Sequence, residues 1–155
     1  MIVTYKDILF VLLQLALFFL FSFDIHAWRI YFPLFLFWAG VGLLVIGTFI
    51  IIVGVLQLNV NLSPFPSPLP KSKLIVHGIY KYMRHPIYTG IFMGFLGFSI
   101  IADSGYKLLI SGLLLLLFYF KSIYEEKRLL FMFPEYAEYR QKTGRFFPKL
   151  FKLKS

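Results

Sequence analysis

The sequence predicts an all-α, multi-pass integral membrane protein with about four transmembrane helices, and three observations predict it. Charge is scarce: of 155 residues, 59% are hydrophobic and 15% are Asp, Glu, Lys or Arg, against about a quarter in a typical soluble domain. The apolar residues fall in long runs without a polar face. Basic residues gather between some of those runs and avoid others.

The runs define the elements in order. Ile8 to Phe23 is apolar apart from Gln14 and Ser22 and predicts helix one over about 7–23. Asp24 to Arg29 is a short connection. Ile30 to Leu58 carries no charge and predicts helix two over about 30–57, well beyond the roughly 20 residues a span requires. Ile87 to Ala102 and Leu108 to Phe120 are uncharged and predict helices three and four. Flanking Tyr and Lys residues can snorkel to the interface and complete them. A soluble helical core would show a polar face on each helix, and these runs show none. A cleaved leader is disfavoured because Lys6 is followed at once by Asp7 and no small-x-small site follows Phe23.

Gly40, Gly47 and Gly54 recur at intervals of seven, and Gly90, Gly94 and Gly97 lie along one side of helix three. Such small-residue faces let helices approach closely. Asn59 to Pro70 contains four prolines and is expected to be extended or polyproline-like. Asp103-Ser104-Gly105 is a turn signal that folds helices three and four into a hairpin. Nothing breaks helix four before Pro134, so it should run on to about Phe131, and Pro134 to Gly144 should hold a last short helix with Tyr136 and Tyr139 on one face.

Sixteen Lys and Arg against seven Asp and Glu give a net charge of +9. Lys71, Lys73, Lys81 and Arg84 lie between helices two and three, and Lys121, Lys127, Arg128, Arg140, Lys142, Arg145, Lys149, Lys152 and Lys154 follow helix four. The positive-inside rule places that loop, the tail and both termini in the cytosol. The basic tail interleaves with Leu, Phe and Tyr beside a membrane helix, which favours anionic lipid over nucleic acid as its contact. The chain has no cysteine, which excludes disulfides and thiolate chemistry. His26, His77 and His85 are too scattered for a metal site.

Chemistry is concentrated in Gly78 to Gly90, where two glycines, a proline, three tyrosines, Arg84 and His85 sit at the entry to the membrane. Polar groups there are costly unless paired or binding something. Pro86 suits the first turn of helix three, which leaves Arg84 and His85 beside a helix N-terminus, a natural place for a carboxylate or phosphate. Anchoring at lipid headgroups is the alternative. Glu125-Glu126 is the acidic pair of helix four, and the hairpin returns it to the same membrane face. Its alternative is a solvated surface with Glu125 paired to Arg128.

Gly78-x-Tyr80-x-x-x-Arg84-His85-Pro86-x-Tyr88-x-Gly90, preceded by Leu74 to His77 and followed by Glu125-Glu126-x-x-Leu129 and by Tyr136, Tyr139 and Pro148, resembles the isoprenylcysteine carboxyl methyltransferase and phospholipid methyltransferase superfamily. The likeness covers about residues 57–148. It implies one membrane-embedded domain over 1–155: two leading helices (1–58), a catalytic core (59–148) and a basic tail (149–155). It implies S-adenosylmethionine as methyl donor, S-adenosylhomocysteine as product, and a cytosolic pocket built from the helix 2–3 loop, the helix 3–4 hairpin and the tail. The residues it implies at the cofactor are Lys73, Leu74, Ile75, Gly78, Tyr80, His85, Pro86, Ile87, Tyr88, Glu125 and Glu126. Arg84, Glu125 and Lys121 are the catalytic candidates. In the isoprenylcysteine enzymes an arginine one turn before the acid faces the substrate carboxylate. Lys121 holds that position here and keeps the charge without the bidentate fork.

The expected reaction is methyl transfer to a lipophilic, membrane-resident acceptor at the cytosolic face of a bacterial or archaeal cell membrane. In-line transfer from a sulfonium asks the protein to align the reactants and exclude water. An isoprenylcysteine-type carboxylate needs no base, whereas an ethanolamine headgroup must first lose a proton, and Glu125 or Glu126 could accept it. A non-catalytic membrane module and a nicotinamide-dependent membrane reductase are the readings of other classes. No nucleic-acid partner is expected.

Overall fold

In a computed structural model, residues 3–25, 28–59, 63–68 and 72–149 are described. His26, Lys71, Lys152, Lys154 and part of the proline-rich segment lie outside them. The described chain is helical without named strands: α1 is Tyr5–Phe21, α2 Leu34–Leu58, α3 Pro86–Ile101, α4 Gly105–Met132 and α5 Tyr136–Lys142, with a 3-10 turn at Gly78–Lys81 before α3. α2 and α4 are each long and apolar enough to cross a membrane, and α3 is a shorter apolar helix.

α2 begins four residues later than the apolar run suggests. Pro33 is extended at its N-cap, and a residue before proline is pushed out of the helical region. Ile30 and Phe32 instead donate backbone N–H bonds to the Asp103 carbonyl and to Asp103 Oδ1, at 2.9 and 3.1 Å, tying this approach to the α3–α4 turn. That turn carries Asp103 at φ 52°, and Ser104 caps α4 by accepting from the Lys107 N–H at 3.2 Å. α5 starts at Tyr136, two residues after Pro134, with Glu135 as its N-cap.

The helices alternate in direction. α2 and α3 are antiparallel, and glycines set their separation: a Cβ on Gly47 would come within 2.6 Å of the Gly90 carbonyl, and one on Gly40 within 2.9 Å of the Gly97 carbonyl. Backbones this close leave no room for alanine. α1 runs antiparallel to α4, since Thr4 Oγ1 lies 2.8 Å from the Tyr124 hydroxyl and Tyr106 donates to the Leu20 carbonyl at 3.0 Å.

Polarity is inverted relative to a soluble domain. Leu12, Leu15 and Phe19 of α1, Phe35, Trp38, Phe49 and Leu56 of α2, and Leu113, Leu116 and Phe120 of α4 face outward. Asp7, Ser99, Lys107, Ser111, Lys121, Ser122 and Glu126 are buried. An apolar exterior of this extent calls for hydrocarbon rather than water.

The proline-rich segment departs from its expected extended form: residues 64–67 are a run of bends. Asp7, fully buried, explains this. Its carboxylate accepts from the Ser67 N–H at 3.0 Å and the Ser67 hydroxyl at 2.7 Å, and also from the Thr4 N–H and hydroxyl at 2.7 Å each. α1 thus holds residues 63–68 as a strap across the end of the bundle where α3 begins.

Candidate functional site

The site forms where α3 starts and α4 ends. Gly78 adopts φ +60°, a left-handed conformation that strains any residue with a Cβ, and packs against the Gln57 side chain. Gln57 Oε1 accepts the Ile79 N–H at 2.9 Å. The turn buries Tyr80, whose hydroxyl donates to the Gly54 carbonyl at 3.2 Å. His85 is the N-cap of α3 and Pro86 its first residue, as the spacing predicts.

Glu126 is the hub. Its buried Oε1 accepts from Arg84 Nε at 3.0 Å and Nη2 at 2.9 Å, from His85 Nε2 at 3.2 Å and from Arg145 Nε at 3.1 Å. Its Oε2 accepts from Arg145 Nη2 at 3.1 Å and lies 3.5 Å from Arg140 Nε. Three guanidinium groups around one carboxylate leave the cluster net positive. The same contacts dock the segment after α5 on the start of α3. The Arg84 and His85 N–H groups donate to the Gly144 and Arg145 carbonyls at 2.9 and 3.0 Å, and the Thr89 hydroxyl to the Phe146 carbonyl at 2.8 Å. Arg84 also donates to the Arg140 and Thr143 carbonyls. Its guanidinium is therefore largely turned to protein partners.

Glu125 behaves differently. Its side chain is 26% exposed. Oε2 accepts from the Tyr88 hydroxyl at 2.8 Å and lies 3.8 Å from His85 Nδ1. The Tyr88 ring is stacked between His85 and Phe118, with centroids 5.3 and 4.7 Å away. Lys121 Nζ sits 5.3 Å from the centroid of that ring and donates to Gln14 Oε1 at 2.7 Å and to the Pro64 carbonyl at 3.0 Å.

A cleft opens between the strap and the ends of α4 and α5. Of the residues expected at the cofactor, Lys73, Leu74, Ile75, Tyr80 and Glu125 line it, and so does Arg84. Gly78, His85, Pro86, Ile87, Tyr88, Glu126 and Lys121 are not among the residues that line it. The strap supplies the opposite wall with Ser63, Phe65, Pro66, Ser67 and Pro68, and α4 and α5 add Leu129, Tyr136 and Tyr139. Burial, reinforced by the Glu125 charge, pushes the Tyr80 phenol well above its usual range, and burial does the same to Tyr136 and Tyr139. All three are neutral donors. Tyr139 donates to the Tyr80 carbonyl at 2.5 Å. The buried Tyr136 hydroxyl has no partner among the described residues.

The donor set fits S-adenosylmethionine. An accessible carboxylate on Glu125 suits an ammonium or sulfonium, apolar walls at Leu74, Ile75 and Leu129 suit an adenine ring, and an orphaned hydroxyl awaits an acceptor. Among the described residues no group of three or more His, Asp or Glu side chains is placed to hold a metal ion.

A second cavity, an open groove of about 360 Å³ between α1, α2 and α3, is wholly apolar, lined by Phe18 and Phe21 of α1, Leu44 and Ile51 of α2, and Ile91, Gly94, Phe95 and Phe98 of α3. Tyr88, Ile91, Phe95 and Phe98 share one face of α3 by helical spacing, as Gln14, Phe18 and Phe21 do on α1. The cavity therefore stands on the same two helix faces as Tyr88 and Gln14.

Sequence reasoning missed several of these residues. Asp7, Gln14, Thr4 and Gln57 are single polar residues at the ends or in the middle of apolar runs, a signal that a polar partner must exist. Arg140 and Arg145 belong to the basic tail by sequence, yet they reach Glu126. Arg128 pairs with Tyr124 and Thr4 rather than with Glu125.

Among relatives, the chain is 37% identical over 78 residues to the cobalt-zinc-cadmium resistance protein CzcN of Cupriavidus metallidurans, covering 50% of this chain and 36% of that protein. It is 31% identical over 117 residues to the nickel-cobalt-cadmium resistance protein NccN of Alcaligenes xylosoxydans xylosoxydans, covering 73% of this chain and 53% of that protein. The chain thus matches about half or less of the length of these relatives. The phospholipid methyltransferase family model matches residues 35–136, a span that holds α2, the Gly78–Gly90 block, α3, α4 and the Glu125-Glu126 pair. On that match, the chain belongs to the phospholipid methyltransferase family of membrane methyltransferases.

Proposed function

We propose that the protein transfers a methyl group from S-adenosylmethionine to a lipophilic, membrane-resident acceptor at the cytosolic face of the membrane, with four spans and both termini cytosolic. The observation that carries this reading is Glu125: a carboxylate left accessible in the cleft, one residue from a carboxylate saturated by arginines, and held by Tyr88. The cofactor, when bound, supplies a methyl group already activated on a sulfonium. Glu125 offers a counter-charge for it, Tyr88 fixes that carboxylate's rotamer, and the strap and the buried tyrosines restrict water. The Glu126 cluster positions Arg84 and His85 and closes the site by docking residues 143–146.

The acceptor is an isoprenylcysteine-type carboxylate or a related lipid, with an ethanolamine headgroup as the alternative. The apolar cavity supports lateral entry, because a hydrocarbon chain on the Phe18–Phe95 side would keep its polar end toward Tyr88 and Lys121. Four spans are supported by the alternating helix directions and the outward apolar faces of α1, α2 and α4. The experiment is incubation of purified protein with labelled S-adenosylmethionine and fractionated membrane lipid. Label should pass to an organic-soluble product. Absence of both transfer and cofactor binding would sink the reading.

A further inference from the structure

Part of the strap reaches below the end of the bundle as non-helical chain. Pro66 and Ser67 are buried. The Pro64 carbonyl accepts from Lys121 Nζ at 3.0 Å, and the same ammonium donates to Gln14 Oε1 at 2.7 Å. Gln14 lies nine residues beyond Tyr5, the first residue of α1, which is roughly 13 Å along the helix. Backbone outside a helix is tolerated at such depth in a membrane protein only where protein satisfies its polar groups. The residues Ser63 to Pro68 meet that demand. Pro64, Pro66 and Pro68 have no N–H to satisfy. The two N–H groups between them are paired: Phe65 donates to Ser63 Oγ at 3.1 Å and Ser67 to Asp7 Oδ1 at 3.0 Å.

The partners that hold the strap come from α1. Asp7 and Gln14 are seven residues apart, two helical turns, and so share one face. Asp7 takes the Ser67 end of the strap, and Gln14 shares Lys121 with the Pro64 end. Both precede residue 35, where the family match begins. Lys121 is 2% exposed and has three N–H donors. Two are spent on these neutral oxygens, and Nζ lies 5.3 Å from the centroid of Tyr88, whose hydroxyl holds Glu125. We propose that Asp7 and Gln14 are positioning residues. They hold the strap as a re-entrant wall of the cleft, and Gln14 with the Pro64 carbonyl fixes Lys121 Nζ beside Tyr88, where the acceptor's polar end arrives. The statement about the acceptor rests on the methyl-transfer reading above, whereas the holding of the strap does not.

The test has two arms on the full chain in lipid nanodiscs. In the first, hydrogen exchange is followed at the strap. The Ser67 amide should be protected in wild type and should exchange roughly ten- to a hundredfold faster in Asp7→Asn, the range of a hydrogen bond to a charged acceptor. Should that variant not fold, Ser67→Ala removes a single hydroxyl donor to the same carboxylate and should speed strap exchange in the same direction. Free exchange in wild type, or equal protection in the variants, would overturn the clamp. In the second arm, methyl transfer to fractionated membrane lipid should fall by roughly tenfold or more in Gln14→Leu and in Lys121→Met. Affinity for S-adenosylhomocysteine should stay within about twofold in both, since neither residue lines the cleft. The double variant should lose no more than Lys121→Met alone, as expected of residues that act as a unit. Additive losses, or full activity of Gln14→Leu, would overturn the positioning of Lys121. A wild type with neither transfer nor cofactor binding would sink the methyl-transfer reading and with it the acceptor's place at Lys121, while the exchange arm still decides whether α1 holds the strap.

Discussion

Tyr88 donates to Glu125 Oε2 at 2.8 Å while its ring lies stacked between His85 and Phe118. The bond makes the outer glutamate a rigid, accessible carboxylate rather than a mobile surface acid. Tyr88→Phe keeps the stack and removes only that bond. Cofactor affinity should fall by roughly three- to thirtyfold, the worth of one hydrogen bond to a charged group that water can partly replace. Isothermal titration of the variant checks it, and unchanged affinity would mean that Glu125 needs no positioning.

Glu125, Glu126 and Glu138 should respond differently to the same Glu→Gln change. At Glu125, cofactor affinity should drop by roughly ten- to a hundredfold with folding intact. At Glu126 the change leaves buried Arg84 uncompensated and should cost about 3–5 kcal/mol of stability. At Glu138, which is exposed and paired with Lys142, neither quantity should move. Thermal melts in detergent beside cofactor titrations separate the three, and identical behaviour of Glu125→Gln and Glu138→Gln would show that the site is wrongly drawn.

The α2–α3 contact predicts a contrast between two glycines one turn apart. A Cβ on Gly90 would come within 2.5 Å of the Gly47 carbonyl, whereas one on Gly94 meets nothing within 4 Å. Gly90→Ala should destabilise by about 1–3 kcal/mol through overpacking. Gly94→Ala should be neutral or stabilise by up to about 1 kcal/mol through helix propensity. Melting temperatures of the two variants decide it.

Gly94→Leu should also fill part of the apolar cavity. Activity toward a lipid acceptor should fall while S-adenosylhomocysteine affinity stays within about twofold, since the cleft is lined by other residues. Full activity in that variant would remove the cavity from the acceptor's path.

Orientation can be tested on a clean background, because the chain has no cysteine. Ser104 is fully buried, so accessible positions serve better. Tyr31→Cys, at a residue 80% exposed, should react with an impermeant thiol reagent in intact cells. Gln141→Cys should react only after permeabilisation. The opposite pattern would invert the topology.

Much of the fold was legible because apolar runs and turn residues are local signals. The α3–α4 turn at Asp103 to Gly105, the start of α3 at Pro86 and the length of α4 follow from the sequence within a residue or two. The glycines at intervals of seven gave one face of the α2–α3 contact. The delayed start of α2 was also local in origin, since Pro33 forbids the preceding turn. What was not legible was pairing. Arg140 and Arg145 look like any other basic residues in a cationic tail, and only the return of residues 143–146 to α3 reveals that they serve Glu126. The same holds for Asp7 with Ser67 and Gln14 with Lys121, joined across 60 and 107 residues. Lone polar residues in apolar runs announce that a partner exists without saying which. Glu125 and Glu126 are adjacent and alike in sequence, and only the direction each takes off α4 separates an accessible carboxylate from a buried anchor.

The convergence on Glu126 also bears on how the protein is made. Arg84 and His85 leave the ribosome before Glu126, but Arg140 and Arg145 leave after it. While α4 is being inserted, the carboxylate has only the two earlier partners, and the start of α3 has no docked segment over it. Only when residues 140–146 have been synthesised can the latch close. Ribosome-stalled chains ending shortly before Arg140 should therefore insert their helices yet leave Thr89 and the start of α3 open to hydrogen exchange, which makes closure of the site wait on synthesis of the segment after α4.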